Sequence, residues 1–395
     1  MLYHMPLAQY AAKHWIDHAK SGGMDPTVLQ LILCLFTSDS APLTNWIRMY
    51  NIDARGYYFG LSMDRSKVCS PLYYSSLAGM QEVSDCLLKK GESANAKGGQ
   101  FGNALQAASF RGDEAIVKLL LKNGVEVNAE GGIYGNALQA AASSNQGNVA
   151  IVVKLLLENG AEVNVKGGEY GNALQAASFR GDDAIVELLL KNGAEVNVQG
   201  GEYGNALQAA SFRGNEVIMK LLLENGAEVN AKGGKYGSAL QAAACEGYEV
   251  IVKLLLENGA DINAVGGEYG NALQAAMFRG DHVIIKLLLE NGAEVNAKGR
   301  EYRDALQAAS FKGDETIVKL LLENGVDVNA EGGEYGNALQ AASLGGDEVT
   351  VKLLLENGAE VNAEGGIFGN ALQAASYEGY EVISKLGRSE LRSSA

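Results

Sequence analysis

The sequence predicts an all-α solenoid: helix–turn–helix repeats, each closed by a β-hairpin loop, behind an N-terminal helical cap. Three observations predict it. Asn-Ala-Leu-Gln-Ala-Ala begins at Asn103, Asn136, Asn172, Asn205, Asn271, Asn337 and Asn370, with Ser238 and Asp304 opening two variants. Successive starts differ by 33 residues every time except from Asn136 to Asn172, where the step is 36. Each copy also carries a Leu-rich segment bounded by glycine, as in GNALQAASFRGNEVIMKLLLENGAEVN from Gly204. A fixed period of this size marks an architecture in which a repeat buries its apolar face only against its neighbours.

Counting back 33 residues from Asn103 reaches Ser70, which opens a diverged copy, SPLYYSSLAGMQEVSDCLLKKGESANAK. About ten repeats are therefore expected over 70–386, the last truncated, between a helical capping segment at 1–69 and a polar tail at 387–395.

Three helices are expected in residues 1–60. Leu7–Ala19 places Leu7, Tyr10, Ala11, His14, Trp15 and His18 on a broad stripe. Asp25 caps a second helix running to about Phe36, with Pro26 at the favoured first position. Ala41–Tyr50 is the third, with Trp46, Ile47 and Met49. Such helices would shield the apolar end of the first repeat.

Within a repeat, Asn205 is suited to cap a short first helix, because its side-chain oxygen accepts orphan backbone N–H groups. Ala206, Leu207, Ala209 and Ala210 give that helix a narrow profile. Gly214 breaks it and Asn215 caps the second helix, with Glu216 in a first turn favoured by the macrodipole. Val217, Ile218, Leu221 and Leu222 recur at helical spacing and are expected in the core. Asn225-Gly226 ends the helix, and Glu228–Tyr236 returns as a glycine-rich hairpin. The repeated Gln, as at Gln106, Gln175 and Gln208, is expected to bond hairpin backbone, since buried polar groups need partners. Aligning Lys154 with Lys118 puts the three extra residues of the long step within Ser143–Asn148, between two helices.

The repeat resembles the ankyrin repeat. Ser70-Pro71-Leu72 stays close to that family's Thr-Pro-Leu-His-x-Ala start, and Gly226-Ala227-Glu228-Val229-Asn230-Ala231 to its Gly-Ala-Asp-Val-Asn-Ala exit. Gly-Gly-Glu-Tyr-Gly stands in place of the usual Asp-x-x-Gly turn, and Gln in place of the family's His. This variant looks like the arrays of filamentous-fungal proteins, many joined to NACHT-type NTPase modules, and Pro6–Trp15 resembles the helical segment that precedes the array there. The resemblance implies a sensor array. No Gly-x-x-x-x-Gly-Lys-[Ser/Thr] occurs, so the ATP-driven switching of such proteins is not carried over, and no cofactor is expected.

Net charge is −15 and the pI near 4.8. Polyanion binding relies on clustered Lys and Arg, so nucleic acid and anionic membranes are not expected partners. Residues 1–20 lack a continuous apolar stretch of signal-peptide type, and the longest apolar run, Leu31–Phe36, falls far short of a membrane span. Four cysteines without paired spacing suit a reducing compartment. The expected location is the cytoplasm, with the nucleus left open. His14 and His18 share a helix face at metal-ligand spacing, but no third ligand is evident, and no metal is expected. No nucleophile–base set is proposed.

Two ladders remain. One is Phe-Arg at the end of the first helix: Phe110-Arg111, Phe179-Arg180, Phe212-Arg213 and Phe278-Arg279, with Phe311-Lys312 as a variant. The other is the hairpin aromatic: Phe101, Tyr134, Tyr170, Tyr203, Tyr236, Tyr269, Tyr302, Tyr335 and Phe368. The family resemblance places the Phe-Arg positions, and the residue before the aromatic (Glu169, Glu202, Lys235), on a concave groove that touches partners. A residue present in every repeat also serves stacking, which is the reading for the Tyr ladder. The Phe-Arg ladder is open to either role, since Phe and Arg are frequent interface anchors. The expected function is a non-catalytic scaffold or sensor array gripping a protein or peptide. The alternatives are an enzyme or small-molecule binder using the aromatic groove, marked by one deep pocket breaking the repeat symmetry, and an inert spacer.

Overall fold

The computed structural model describes residues 6–36, 41–50, 52–53, 68–296, 305–332 and 334–381. Tyr302, Asp304, most of 51–67 and the tail 387–395 lie outside the described residues. The chain divides into two compact units, Met1–Ala206 and Leu207–Ala395.

In the first unit, α1 (Pro6–Ser21), α2 (Pro26–Leu35) and α3 (Ala41–Met49) precede the repeats. Asp25 caps α2 by accepting from Thr27 N at 2.7 Å and Val28 N at 2.9 Å. Trp15, Phe36 and Trp46 form an aromatic cluster, with Trp15–Trp46 centroids 5.4 Å apart. The buried face of α1 is Ala12 and Ile16, not the expected stripe; Tyr10, Ala11 and His18 are exposed. The reason is Trp46, whose Nε1 donates to the Ala12 carbonyl at 2.8 Å and so fixes which side of α1 turns inward.

Repeat helices follow in pairs: α4 (Pro71–Ala78) with α5 (Gln81–Lys89), α6 (Ala104–Phe110) with α7 (Glu114–Lys122), α8 (Ala137–Ala142) with α9 (Val149–Glu158), and α10 (Ala173–Arg180) with α11 (Asp183–Lys191). Trp46 reaches the first pair edge-on at Tyr74, with centroids 6.4 Å apart. Tyr73 of α4 stands where later repeats have Gln, and its hydroxyl bonds the Asp53 carboxylate. Asp53 also accepts from Gln100 N at 3.1 Å, so it ties the N-terminal segment to the first hairpin. Burial pushes the Asp53 carboxyl above its usual range, partly offset by the bonds from Tyr73 and Gln100.

Each repeat is built as its residues dictate. Asn103 accepts from Gln106 N at 2.9 Å and Asp113 from Ile116 N at 3.1 Å, capping the two helices. Leu105, Ala107 and Ala108 of α6 and Ile116, Val117 and Leu120 of α7 are fully buried. The Gln106 amide donates to the carbonyls of Ala129, Gly131 and Gly135 at 3.1–3.2 Å, joining the first helix to the following hairpin as expected. At Gln139 the amide oxygen also accepts from Asn136 N at 3.1 Å, completing a capping box. Hairpins are closed by single antiparallel bridges such as Gly167↔Gly171. Gly168 has φ +66°, and a Cβ there would meet the Tyr134 carbonyl at 2.2 Å, so only glycine fits. The three extra residues fall in the loop between α8 and α9, where Asn148 N bonds the Gly112 carbonyl at 3.3 Å. Leu156 stays fully buried, so α9 keeps its register.

The second unit holds α12 (Ala206–Arg213), whose first residue lies in the first unit, then α13 (Glu216–Glu224), α14 (Ala239–Glu246), α15 (Glu249–Glu257), α16 (Ala272–Arg279) and α17 (His282–Glu290). After these come α18 (Ala305–Lys312), α19 (Glu315–Glu323), α20 (Ala338–Gly345), α21 (Glu348–Glu356) and α22 (Ala371–Tyr377). One core expectation is corrected. In α13 the buried residues are Ile218, Met219 and Leu222, while Leu221 is half-buried and Val217 is 54% exposed. The apolar arc of these helices is wider than the face they bury. Packing takes the 218/219/222 side and leaves the 217/221 line outward.

Candidate partner-binding surface

The two aromatic ladders are one structure. In the first unit Phe110 at the end of α6 lies 4.8 Å from Phe101 and 5.1 Å from Tyr134, between the hairpin aromatics of two successive repeats. Phe179 sits likewise between Tyr170, at 5.1 Å, and Tyr203, at 4.6 Å. The hairpin rings stack on one another, Tyr134 on Tyr170 at 6.3 Å and 3°. In the second unit Phe212–Tyr236, Tyr269–Phe278 and Phe311–Tyr335 pairs stand 4.8–5.2 Å apart. Helix phenylalanines and hairpin tyrosines thus interleave in a column, and offset aromatic packing of this kind stabilises the stack itself.

One helix that lacks the Phe, α14, makes a different contact with the column. Cys245 occupies that position in α14, buried, with its thiol bonded to the Tyr269 hydroxyl. Burial pushes the Cys245 thiol up and Tyr269 up to about 12, which keeps both protonated.

The cations beside the phenylalanines have a local task. Arg279 Nη1 donates to the Cys245 carbonyl at 3.3 Å, and Lys312 Nζ to the Phe278 carbonyl at 3.3 Å. Each reaches back to the end of the preceding first helix, where carbonyls without intrahelical donors and the negative end of the macrodipole favour a cation. Lys20 of α1 bonds the Ala78 carbonyl at the end of α4 and so does the same for the first repeat. Burial lowers its pKa, with the nearby Arg111 charge adding to the effect.

Sequence alone brings these residues to one edge of the repeats but does not reveal this bonding. Their exposure differs: Phe110, Arg111, Phe179, Arg180 and Phe212 are half-buried, and Arg213, Arg279 and Lys312 are exposed. Phe278 and Phe311 show 43% and 39% of their surface. The hairpin residues Glu169, Glu202 and Lys235 are exposed, and their backbones join neighbouring hairpins: Glu202 N donates to the Glu169 carbonyl at 3.2 Å. Lys235 lies 3.7 Å from Glu268 of the next hairpin. Spacing alone could have suggested the Lys235–Glu268 pair, since the two are 33 residues apart.

The His14 and Tyr10 rings lie tilted at 38° with centroids 4.6 Å apart, and His14 Nδ1 lies 3.9 Å from Asp17. Among the described residues no group of three or more His, Cys, Asp or Glu is placed to hold a metal ion, and no helix is long and apolar enough to cross a membrane.

The family model of ankyrin repeats (three copies) matches residues 105–200, 173–266, 266–332 and 306–390. The chain belongs to the ankyrin repeat family. Ankyrin repeats generally mediate protein–protein interaction. The chain is also similar to azaphilone pigments biosynthesis cluster protein L of Monascus ruber, 37% identical over 117 residues. That match takes in 26% of this ankyrin chain and 24% of the Monascus protein, so the chain spans about a quarter of that relative's length.

Proposed function

We propose that the chain is a non-catalytic array that grips a protein or peptide along the edge formed by first-helix ends and hairpins. The observation that carries this reading is the partly exposed aromatic column: Phe278 and Phe311 present ring surface beside exposed Arg213, Arg279 and Lys312. Lys235 belongs to the same edge in the second unit, and Glu169 and Glu202 hold the equivalent hairpin position in the first. A partner spanning several repeats would meet apolar and charged contacts in alternation, each weak and summed over the array. Residues 1–69 are proposed as the cap of the array at 70–386, a reading supported by Trp46 against Tyr74 and by Asp53 on Tyr73. A narrower form is a sensor array acting with an NTPase module, which rests on the likeness of Pro6–Trp15 to fungal NACHT–ankyrin proteins.

The test uses a captured partner and three variants. Charge reversal at Glu169, Glu202 and Lys235 replaces no ring of the column, although it removes the Lys235 contacts with Tyr236 and Glu268, and should weaken binding about tenfold or more in a folded protein. Phe278→Ser with Phe311→Ser should do the same. Lys122→Gln, at the end of α7, is the control. Unchanged affinity in both folded groove variants places the site elsewhere.

A further inference from the structure

A second surface stands apart from that edge. In the second unit, the position after the first residue of the second helix is valine four times, Val217, Val250, Val283 and Val349, each 47–56% exposed; α19 has Thr316 there. An exposed β-branched residue loses rotamer freedom in a helix, so stability gives no reason for valine. In the first unit, α7 and α11 carry Ala115 and Ala184 at this position, while α9, aligned on Lys154, carries Ile151 at 45% exposed.

Between α17 and α19 the surface opens into a groove of about 590 Å³. Val283, Leu287 and Leu320 line it, and its margins carry Glu290 and Glu323 but also Lys253, Lys286 and Lys319. The helices of this unit also end in the wrong charge. Their last residues are Glu224, Glu257, Glu290, Glu323 and Glu356, all exposed, and no last turn in the set holds a basic residue. The macrodipole disfavours a carboxylate there. In the first unit α7 and α11 end in Lys122 and Lys191, while α9 ends in Glu158, 3.8 Å from Lys154. The lysines of α13, α15 and α19 pair with the glutamate at the helix start, Lys220 with Glu216, Lys253 with Glu249 and Lys319 with Glu315, so that Glu224, Glu257 and Glu323 face outward; in α17 Lys286 instead lies 3.8 Å from the terminal Glu290. Local stability rules are broken twice at every such repeat, once by valine and once by glutamate, and such repeated departures point to function.

We propose that the second-helix face of the second unit docks a basic amphipathic helix of a partner protein. Its apolar side would lie over Val250, Val283 and Leu320, and its Lys or Arg side would meet the row of terminal glutamates. Helices recognise grooves between helices in this way. A second copy of this chain is disfavoured as the occupant, because it carries the same net charge of −15. An anionic membrane is disfavoured for the same reason.

The experiment titrates the full chain with labelled Leu/Lys peptides of about 18 residues, long enough to form a helix on contact. One peptide is patterned as an amphipathic helix, one is its scrambled isomer, and one is the Leu/Glu counterpart. The patterned Leu/Lys peptide should bind, the isomer at least about tenfold more weakly, and the Leu/Glu peptide not at all. Val250→Ser with Val283→Ser should cost about tenfold, and Glu257→Gln, Glu290→Gln and Glu323→Gln together should flatten the salt dependence. Phe278→Ser with Phe311→Ser should leave this binding unchanged, which separates it from the function proposed above. Equal binding of patterned and scrambled peptides, or undiminished binding to a folded valine variant, overturns the proposal. Hydrogen exchange on the unmodified chain tests it independently: peptide must protect α17 and α19, and protection elsewhere alone also overturns it.

Discussion

Replacing Gln106 by Leu keeps the side chain's volume and removes its amide. Three buried or half-buried carbonyls then lose a donor: Ala129 at 3.1 Å, Gly131 at 3.2 Å and Gly135 at 3.1 Å. One NH2 group has two hydrogens, so at most two of the three bonds are fully made at once. A neutral hydrogen bond contributes about 1 kcal/mol net, and an unsatisfied buried partner costs about 1–3 kcal/mol. The Gly135 carbonyl keeps the Gly131 N–H at 2.7 Å, and the amide oxygen, buried without a partner, is removed as well, so the expected loss is about 1–3 kcal/mol, larger than a surface substitution. Both tryptophans, Trp15 and Trp46, lie in the first unit with Gln106, so tryptophan fluorescence in urea reads the relevant transition. Gln106→His, the residue usual in the family, should recover part of the loss, since one ring N–H can reach one carbonyl. A loss below about 0.5 kcal/mol for the Leu variant would mean that water takes over the carbonyls, and the stitching role would fall.

Other outcomes follow from the same packing. Leu222→Ala should cost about 2–5 kcal/mol and Val217→Ala within about 0.5 kcal/mol, read by circular dichroism melts; equal costs would contradict the assigned core face. Asp53 titrates higher in the folded chain than its ordinary value of 3.8, so it binds protons more readily when folded. Its contribution is fully present below 3.8 and is lost as pH rises through the raised folded value; the Asp53→Asn variant should lack that slope, so the difference between parent and variant melts carries it. Deleting residues 1–60 should bare Tyr74 and the α4–α5 face and produce association by size exclusion; a monomer with unchanged melting argues against the cap.

Much of the fold is legible in the sequence because the period is strict and its breakers are glycine and asparagine. The capping asparagines, the Gln-to-hairpin bonds and the loop placement of the extra residues after Ser143 all follow from local chemistry. Val217 misleads because an apolar arc of four residues does not say which side is covered, and that depends on neighbouring helices. The task of Arg279 and Lys312 is hidden for a similar reason: a cation beside a glycine looks solvent-facing until the preceding helix end is placed next to it. Tyr73 and Asp53 show the reverse, a departure from the repeat that makes sense only with the N-terminal segment beside it. For the proposed edge, sequence gathers the residues, and the structure divides them into half-buried rings that hold the column and exposed ones that can meet a partner.

The Gln bonds have a mechanical consequence. Among the described residues they span from a first helix to the hairpin that follows, as Gln175 does to Val198, Gly200 and Gly204. Under tension applied at the termini, such a chain has no long clamp that fails all at once. It should yield in small steps, each releasing one 33-residue length, about 110 Å when fully extended. Relaxed again, a freed length needs only its immediate neighbour as a template, so the array should behave as a spring that re-forms under load.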